Sequence, residues 1–198
     1  SDLKMLARAL YRLAFFLVFV MTSFLPASAE LGDDGLHKQD WFYMSFLELN
    51  EDLKTAGVEG KHLMVIFEQA GCPYCKELHE INFKDQEIVD LIKKKFVVVQ
   101  LDLWGSREAT DLLGNVMEER DLARQWLVNY TPTTVFLSSD KHSGSNEVFR
   151  TPGYLKKFHY ASALEFVSSK AYQKLDFQRY LQGKIQRLRE QGKEIKIW

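Results

Sequence analysis

The feature that most constrains this chain is the placement of its only two cysteines, Cys72 and Cys75, within the stretch VIFEQAGCPYCKELHE. Two residues separate the cysteines, and a glycine precedes the pair. Such a pair can serve as a redox-active disulfide, as part of a metal site, or as a structural staple. Two cysteines are too few for a disulfide-braced scaffold, and a chain of 198 residues can bury a core without one.

The spacing favours the redox use over the other two. A disulfide that closes a two-residue loop removes little chain entropy from the unfolded state, so a staple would stabilise the fold only weakly. A tetrahedral metal site needs four ligands, whereas Cys72, Cys75 and His79 supply at most three. We therefore predict a redox pair and no bound metal.

The residues around the cysteines predict a strand, a tight turn and a helix. HLMVIFEQ (62–69) is a short apolar run rich in β-formers, typical of a buried strand. After Gly71 the pattern becomes helical, and Pro73 is tolerated in a first helical turn. Cys72 would then open the helix, where free N–H groups and partial positive charge stabilise a thiolate.

The remaining elements alternate between strands and helices, which predicts an α/β fold with helices on a mixed sheet. The segment 138–146 is expected to be a plain hairpin loop. Strands are predicted within 94–104, 133–139 and 147–155, and helices within 118–130, 161–172 and 176–193.

The first 29 residues have the order of a secretory signal peptide. Lys4, Arg8 and Arg12 precede an apolar run, Leu13–Leu25, and the small residues of 27–29 fit a cleavage site. The apolar run has about 13 residues, fewer than the roughly 20 of a membrane-spanning helix. Export to a bacterial periplasm is therefore expected, with a retained anchor facing the periplasm as the alternative.

The domain organisation follows from this division. Residues 1–29 are the expected signal peptide, and residues 30–198 form one domain with a helical extension from about residue 173. The net charge of −1 gives no electrostatic reason to expect a nucleic acid as partner.

On these motifs the chain resembles the thioredoxin fold over roughly residues 42–172. The resemblance rests on the strand before CPYC, on Cys72 opening a helix, and on YTPT at 130–133, which is similar to the thioredoxin loop with a cis peptide before proline. Within this fold, the chain most resembles periplasmic SoxW-type thioredoxins. The similarity lies in three stretches: FEQAGCPYCKELHE, ERDLARQWLVNYTPTTVFL and LREQGKEIKIW.

The resemblance implies a mechanism and partners. Cys72 would attack a substrate disulfide, Thr131 and Pro132 would position the substrate backbone, and Cys75 would resolve the mixed disulfide. No dissociable cofactor is implied, because the disulfide is the redox group. The expected partners are exported proteins that contain disulfides, and a membrane thiol-transfer protein would donate the electrons.

The chain also departs from the thioredoxin pattern. Thioredoxins carry a tryptophan where this chain has Gly71, and a buried aspartate where it has Ile66. Glu68 lies two residues further along and on the same side of the strand, so it is the candidate to accept the proton of Cys75.

Two further departures concern the substrate side. The dipeptide in CPYC is the one that glutaredoxins commonly carry, and Tyr74 within it is expected to be exposed and to contact substrate. Residues 104–117 are longer than a thioredoxin needs before the helix that leads to the cis-proline loop, and long segments of this kind often carry function.

Three alternative functions remain open at this point. The same cysteines would serve a thiol oxidase or isomerase. A non-catalytic binding module would share the fold, since a fold does not fix a function. Stoichiometric metal on Cys72, Cys75 and His79 would indicate a metal-binding protein.

Overall fold

The computed structural model of the chain describes residues 30–195, so the expected signal peptide at 1–29 lies outside the described residues. Within 30–195, none of the helices is both long and apolar enough to cross a bilayer. The strands are β1 Glu30–Leu31, β2 His37–Lys38, β3 His62–Glu68, β4 Phe96–Asp102, β5 Glu108–Thr110, β6 Val116–Glu118, β7 Thr133–His142 and β8 Ser145–Pro152. The helices are α1 Leu49–Val58, α2 Pro73–Glu77, α3 Gln86–Lys95, α4 Glu119–Gln125, α5 Lys157–Ser168 and α6 Phe177–Glu190.

A four-stranded mixed sheet lies at the centre, in the order β4-β3-β7-β8. Strand β3 runs parallel to β4 and antiparallel to β7, and β8 returns antiparallel along β7 at the sheet edge. The predicted α/β architecture, with helices on a mixed sheet, is confirmed.

Alternate residues of β3 point into two separate cores. Leu63 and Phe67 pack into a cluster that also holds Leu53 of α1 and Leu122 of α4. Residues of the other parity pack against α3, α5 and the turn that follows α2; this second cluster includes Met64, Ile66, Leu78, Ile92 and Leu164. Because side chains alternate along a strand, Glu68 continues the parity of the second face and lies on the side of the sheet that carries α2.

The helix of the redox motif changes its winding after one turn. Pro73–Glu77 is α-helical, and Leu78–Asn82 continues as a π-helical turn. Such π turns inside helices are rare and frequently lie at functional sites. The π turn carries His79, whose side chain is completely buried.

The predicted segments are right in type and differ at their ends. The helix expected over 118–130 ends at Gln125, because the chain turns at Leu127, which has a positive φ of 55°. The helix expected over 161–172 begins earlier, at Lys157, and ends at Ser168.

The hairpin loop expected at 138–146 is present but is shorter than predicted. Strands β7 and β8 continue through it and are joined by a two-residue turn at Ser143 and Gly144. Both turn residues have positive φ, 51° and 82°, which is the backbone form that matches the twist of a hairpin.

The extra segment at 104–117 contributes an antiparallel hairpin, β5–β6, ahead of α4. Its base is fixed by the buried Glu119, whose carboxylate accepts hydrogen bonds from the backbone N–H of Asp102 and from the guanidinium of Arg107, both at 2.8 Å.

The expected C-terminal helical extension is α6. Its N-terminus is capped by Asp176, which accepts from the backbone N–H of Arg179 at 2.9 Å. Phe177 and Tyr180 pack their rings against Phe166 of α5, so α6 lies on the helix that covers the second core.

Candidate active site

Cys72 and Cys75 form a disulfide at the N-terminal end of α2, with their Cα atoms 5.2 Å apart. Cys72 caps the helix, and its Sγ accepts the backbone N–H of Cys75 at 3.1 Å. Cys72 retains 5% of its surface exposed, whereas Cys75 is completely buried. Of the two cysteines, only Cys72 therefore retains any exposed surface.

Gly71 explains why the tryptophan of typical thioredoxins is absent here. Its φ is +71°, a left-handed conformation that bulky residues adopt only with strain. The turn from β3 into α2 has taken a form that requires glycine at this position.

The loop at 130–133 lies directly against the disulfide. The peptide bond between Thr131 and Pro132 is cis, as the sequence pattern predicted. The hydroxyl of Thr131 donates to Cys72 Sγ at 3.4 Å, and its carbonyl oxygen lies 3.6 Å from the same sulfur. The structure thus brings together the two motifs from which the sequence predicted the site.

An open groove of about 470 Å³ lies at Thr131, the residue whose hydroxyl contacts Cys72 Sγ. Tyr74 and Tyr130 are exposed at 58% and 67%, and the ring of Tyr74 stacks on that of Tyr154 with centroids 6.1 Å apart. Burial raises the pKa of Tyr154, so its phenol stays protonated in the neutral range. The groove is lined by Tyr74, Tyr130, Thr131, Pro152, Gly153 and Tyr154. No acidic or basic side chain is among these lining residues.

Glu68 is completely buried beneath the disulfide-bearing helix. Its Oε1 lies 2.8 Å from Nε2 of His79, and Nδ1 of His79 lies 3.1 Å from Nε2 of Gln39. An amide N–H can only donate, so Gln39 donates to Nδ1, and the proton on Nε2 of His79 is donated to Glu68. The other oxygen of Glu68, Oε2, is buried without a hydrogen-bond partner among the described residues.

The surroundings of this carboxylate are otherwise apolar or aromatic. The ring of His79 packs edge-on against Phe42 and Phe83. Tyr160 is buried on the same face, and burial raises the pKa of its phenol, so it remains a neutral donor. The carboxylate and imidazole are thus both completely buried, where electrostatic interactions are stronger than in water.

Sequence reasoning missed three contributors to this site. It considered His79 only as a metal ligand, although its position four residues after Cys75 in a helical segment places the two on one face. It did not single out Tyr130 or Tyr154 for the groove. Tyr154 reaches the groove from the turn after β8, so no pattern in the sequence around it predicts that it contacts Tyr74.

The comparisons with known proteins agree with this geometry. The sequence profile of a family described as a thioredoxin-like domain matches residues 49–168. The chain belongs to this family. Its Cys72–Cys75 bridge is a redox-active disulfide, and the protein is a thiol-disulfide oxidoreductase. A search of curated proteins gives no match.

Among solved structures, one shares the fold of this thioredoxin-like protein, and two others are similar at lower scores. A thioredoxin-fold protein from Helicobacter pylori superposes with a TM-score of 0.50 at 23% identity, over 64% of this chain and 86% of that one. A thioredoxin from Thermus thermophilus gives a TM-score of 0.48 at 28% identity, over 62% of this chain and 85% of that one. A putative disulphide-isomerase from Bacteroides thetaiotaomicron gives a TM-score of 0.48 at 26% identity, over 65% of this chain and 94% of that one.

Proposed function

We propose that this protein is an exported reductase of protein disulfides, of the type found in periplasmic SoxW-like thioredoxins. The observation that supports this most directly is the asymmetry of the two sulfurs. Cys72 reaches the surface beside the Thr131–Pro132 loop, whereas Cys75 is completely buried behind it. One sulfur is therefore available to a substrate disulfide, and the other is available only to Cys72.

The proposed reaction has two steps. The thiolate of Cys72 attacks one sulfur of a substrate disulfide, which forms a mixed disulfide and releases the first substrate thiolate. Cys75 then loses its proton to Glu68, the candidate acceptor, and attacks Cys72 Sγ. The second substrate thiolate leaves, the Cys72–Cys75 bridge forms, and two electrons have passed to the substrate.

The groove favours a polypeptide substrate over glutathione. Glutathione carries two carboxylates, and the residues that line this groove offer no cationic side chain to pair with them. The exposed rings of Tyr74 and Tyr130 instead suit apolar or aromatic side chains next to a substrate cysteine. Thr131 lines the groove and its hydroxyl contacts Cys72 Sγ, so Thr131 and the adjacent Pro132 would align the substrate backbone beside the sulfur.

Turnover in the reducing direction requires an electron donor. An oxidising periplasm would leave the Cys72–Cys75 pair as the disulfide. The proposal therefore includes a membrane thiol-transfer protein that reduces the pair again, and exported disulfide proteins as substrates. The signal-like sequence at 1–29 supports this placement.

A reduction assay with a model protein disulfide, insulin, tests the function. The wild-type protein is expected to reduce insulin in the presence of excess dithiol, and Cys72→Ser is expected to be inactive. Cys75→Ser is expected to accumulate a mixed disulfide with its substrate through Cys72. Partner binding that survives Cys72→Ser, without reductase activity in the wild type, would instead indicate a non-catalytic binding module.

A thiol oxidase or isomerase is the second candidate, because the dipeptide between the cysteines is Pro-Tyr. The two residues inside the ring tune the stability of the Cys72 thiolate and with it the direction of electron flow. A protein that oxidises a reduced substrate faster than it reduces insulin would support this alternative.

A further inference from the structure

Trp104 is a large aromatic residue on the surface, close in the fold to the reactive cysteine. Within residues 30–195 it lies outside both hydrophobic cores, and it is not among the residues that line the groove. Its side chain is 64% exposed, yet its indole N–H donates to Oε1 of Gln69 at 2.8 Å. Gln69 lies between β3 and α2, three residues before Cys72. The exposed ring is therefore tied to the segment that carries the reactive sulfur.

The order of the strands places Trp104 on the opposite side of Cys72 from the groove. Strands β4 and β3 are parallel and end in register, so Trp104 and Cys72 follow neighbouring strand ends. The antiparallel β7 begins at the same edge of the sheet, directly after Pro132, and β8 ends there, just before Tyr154. In the order β4-β3-β7-β8, Cys72 therefore lies between Trp104 and the groove along this edge.

The ring of Trp104 is attached to a firmly held piece of backbone. The N–H of Trp104 donates to the carboxylate of Asp102 at 3.0 Å. The next residue, Gly105, packs so closely on the buried Glu119 that an added Cβ would overlap the carboxylate. Because the backbone is fixed and the indole N–H is bonded, the side chain has little freedom to lose when it binds a partner. Tryptophan is also among the residues that most often dominate the binding energy of a protein surface.

We infer that Trp104 is a substrate-contacting residue, and that Gln69 is the positioning residue that holds its ring. The inference rests on the proposed function and narrows its substrate class. The substrate is a polypeptide with apolar or aromatic side chains on both sides of its cysteine. One side lies on the tyrosines of the groove, and the other lies on Trp104. The start of the extra segment 104–117 thereby has a use in recognition.

A short stretch of extended chain can reach both contacts. Neighbouring strands are about 4.8 Å apart, which puts β4 one spacing from β3 and β8 two spacings away on the other side. An extended chain advances about 3.3 Å per residue, so about two residues on one side of the substrate cysteine and three on the other cover these spans. A small disulfide without apolar side chains gains no binding energy from Trp104.

Two peptide disulfides, each added to the fully reduced protein, test the inference. Each is a symmetrical dimer of a short peptide with one cysteine. Aromatic residues precede the cysteine in one peptide and follow it in the other, and glycine and serine fill the remaining positions. The released peptide thiol is measured by chromatography after an acid quench, and its dependence on peptide concentration gives a half-saturating concentration and a maximal rate. Dithiobis(nitrobenzoate) is the small disulfide without a peptide.

We expect Trp104→Ala to raise the half-saturating concentration about three- to tenfold for one of the two peptides, with the maximal rate and the reaction of the small disulfide unchanged. Tyr130→Ala should have this effect on the other peptide, because the two rings lie on opposite sides of Cys72. Gln69→Leu should act on the same peptide as Trp104→Ala, by about two- to threefold. Gln69→Glu keeps an acceptor oxygen for the indole and should restore the wild-type value.

Leu113→Ala is the matched control. Leu113 is 86% exposed and lies on the same extra segment, between β5 and β6. This variant removes an exposed apolar side chain away from the edge that carries Cys72, and it should match the wild type on both peptides.

Failure of the function and failure of the inference give different results. A wild-type protein that reduces neither peptide would overturn the proposed function, and the inference with it. An active wild type whose half-saturating concentrations are unchanged in Trp104→Ala would overturn the inference alone. The same conclusion would follow from a loss that is equal on both peptides, that extends to the small disulfide, or that falls on the peptide affected by Tyr130→Ala.

Discussion

The hydroxyl of Thr131 donates a hydrogen bond to the Sγ of Cys72 at 3.4 Å, although 59 positions separate the two residues in the chain. In the reduced protein the same hydroxyl would face a thiolate, and a hydrogen bond to the charged form lowers the pKa of the thiol. The cis-proline loop would therefore help to activate Cys72 as well as hold the substrate.

Replacing Thr131 tests this activation. Thr131→Val removes the hydroxyl with little change of shape, and we expect the pKa of the Cys72 thiol to rise by about half a unit to one unit. The rate of alkylation by iodoacetamide as a function of pH measures it. Thr151→Val is the matched control, since its buried hydroxyl makes no hydrogen bond within residues 30–195. An unchanged Cys72 pKa in Thr131→Val would contradict the role.

Tyr74 and Tyr130 are predicted to select the substrate without affecting the chemistry of the sulfur. Replacing either by alanine should raise KM for a peptide disulfide with aromatic flanking residues about three- to tenfold, because stacking on an exposed ring is lost. The reaction with a small disulfide should be unchanged. Tyr43→Ala, at another partly exposed tyrosine outside the groove, serves as the control. Equal losses on both substrates would argue against a peptide-binding role.

The motif around the disulfide could be predicted from sequence because its signals are local. The apolar run of β3, the glycine and proline around Cys72, and the YTPT pattern each specify their own backbone. The alternation of β3 also placed Glu68 on the inner face. These inferences need no knowledge of which distant segments meet.

The partners that reach His79 and Tyr74 from distant segments could not be predicted in the same way. Gln39 reaches His79 from the N-terminal segment, and Tyr154 reaches Tyr74 from the turn after β8. Both contacts depend on how the sheet and its covering segments assemble. The extension of the strands through most of 138–146 was missed because its polar residues are also typical of a loop, whereas the positive φ of Ser143 and Gly144, which marks the short turn, is visible only in the structure.

His62 gives the protein an expected dependence of stability on pH. Burial lowers its pKa from 6.5 to about 4, so the folded state binds no proton there in the range where the unfolded state does. Stability conferred by neutral His62 is complete above about pH 6.5 and decreases as the pH falls through 4, by roughly 3 kcal/mol in total.

Denaturant unfolding of the wild type and His62→Gln at several pH values measures this dependence. The difference in the free energy of unfolding between them should shrink as the pH falls from 7 to 4, and level off below that. A difference that is constant across this range would show that His62 is not the group responsible.

Glu119 is predicted to hold the β5–β6 hairpin onto the sheet. Glu119→Gln would keep the size of the side chain but leave the half-exposed Arg107 without its carboxylate partner, at a cost of about 1 to 3 kcal/mol in the free energy of unfolding. Glu118→Gln, at the neighbouring half-exposed position, should change the free energy by less than about 1 kcal/mol. Chemical denaturation of both variants distinguishes them, and equal losses would contradict the assignment.

The equilibrium reduction potential of the Cys72–Cys75 pair, measured against a dithiothreitol or glutathione buffer, tests the reducing direction most directly. An exported reductase should have a value near that of thioredoxin, about −270 mV. A value near that of a strong periplasmic oxidant, about −120 mV, would contradict the reductase function and make the protein a disulfide donor.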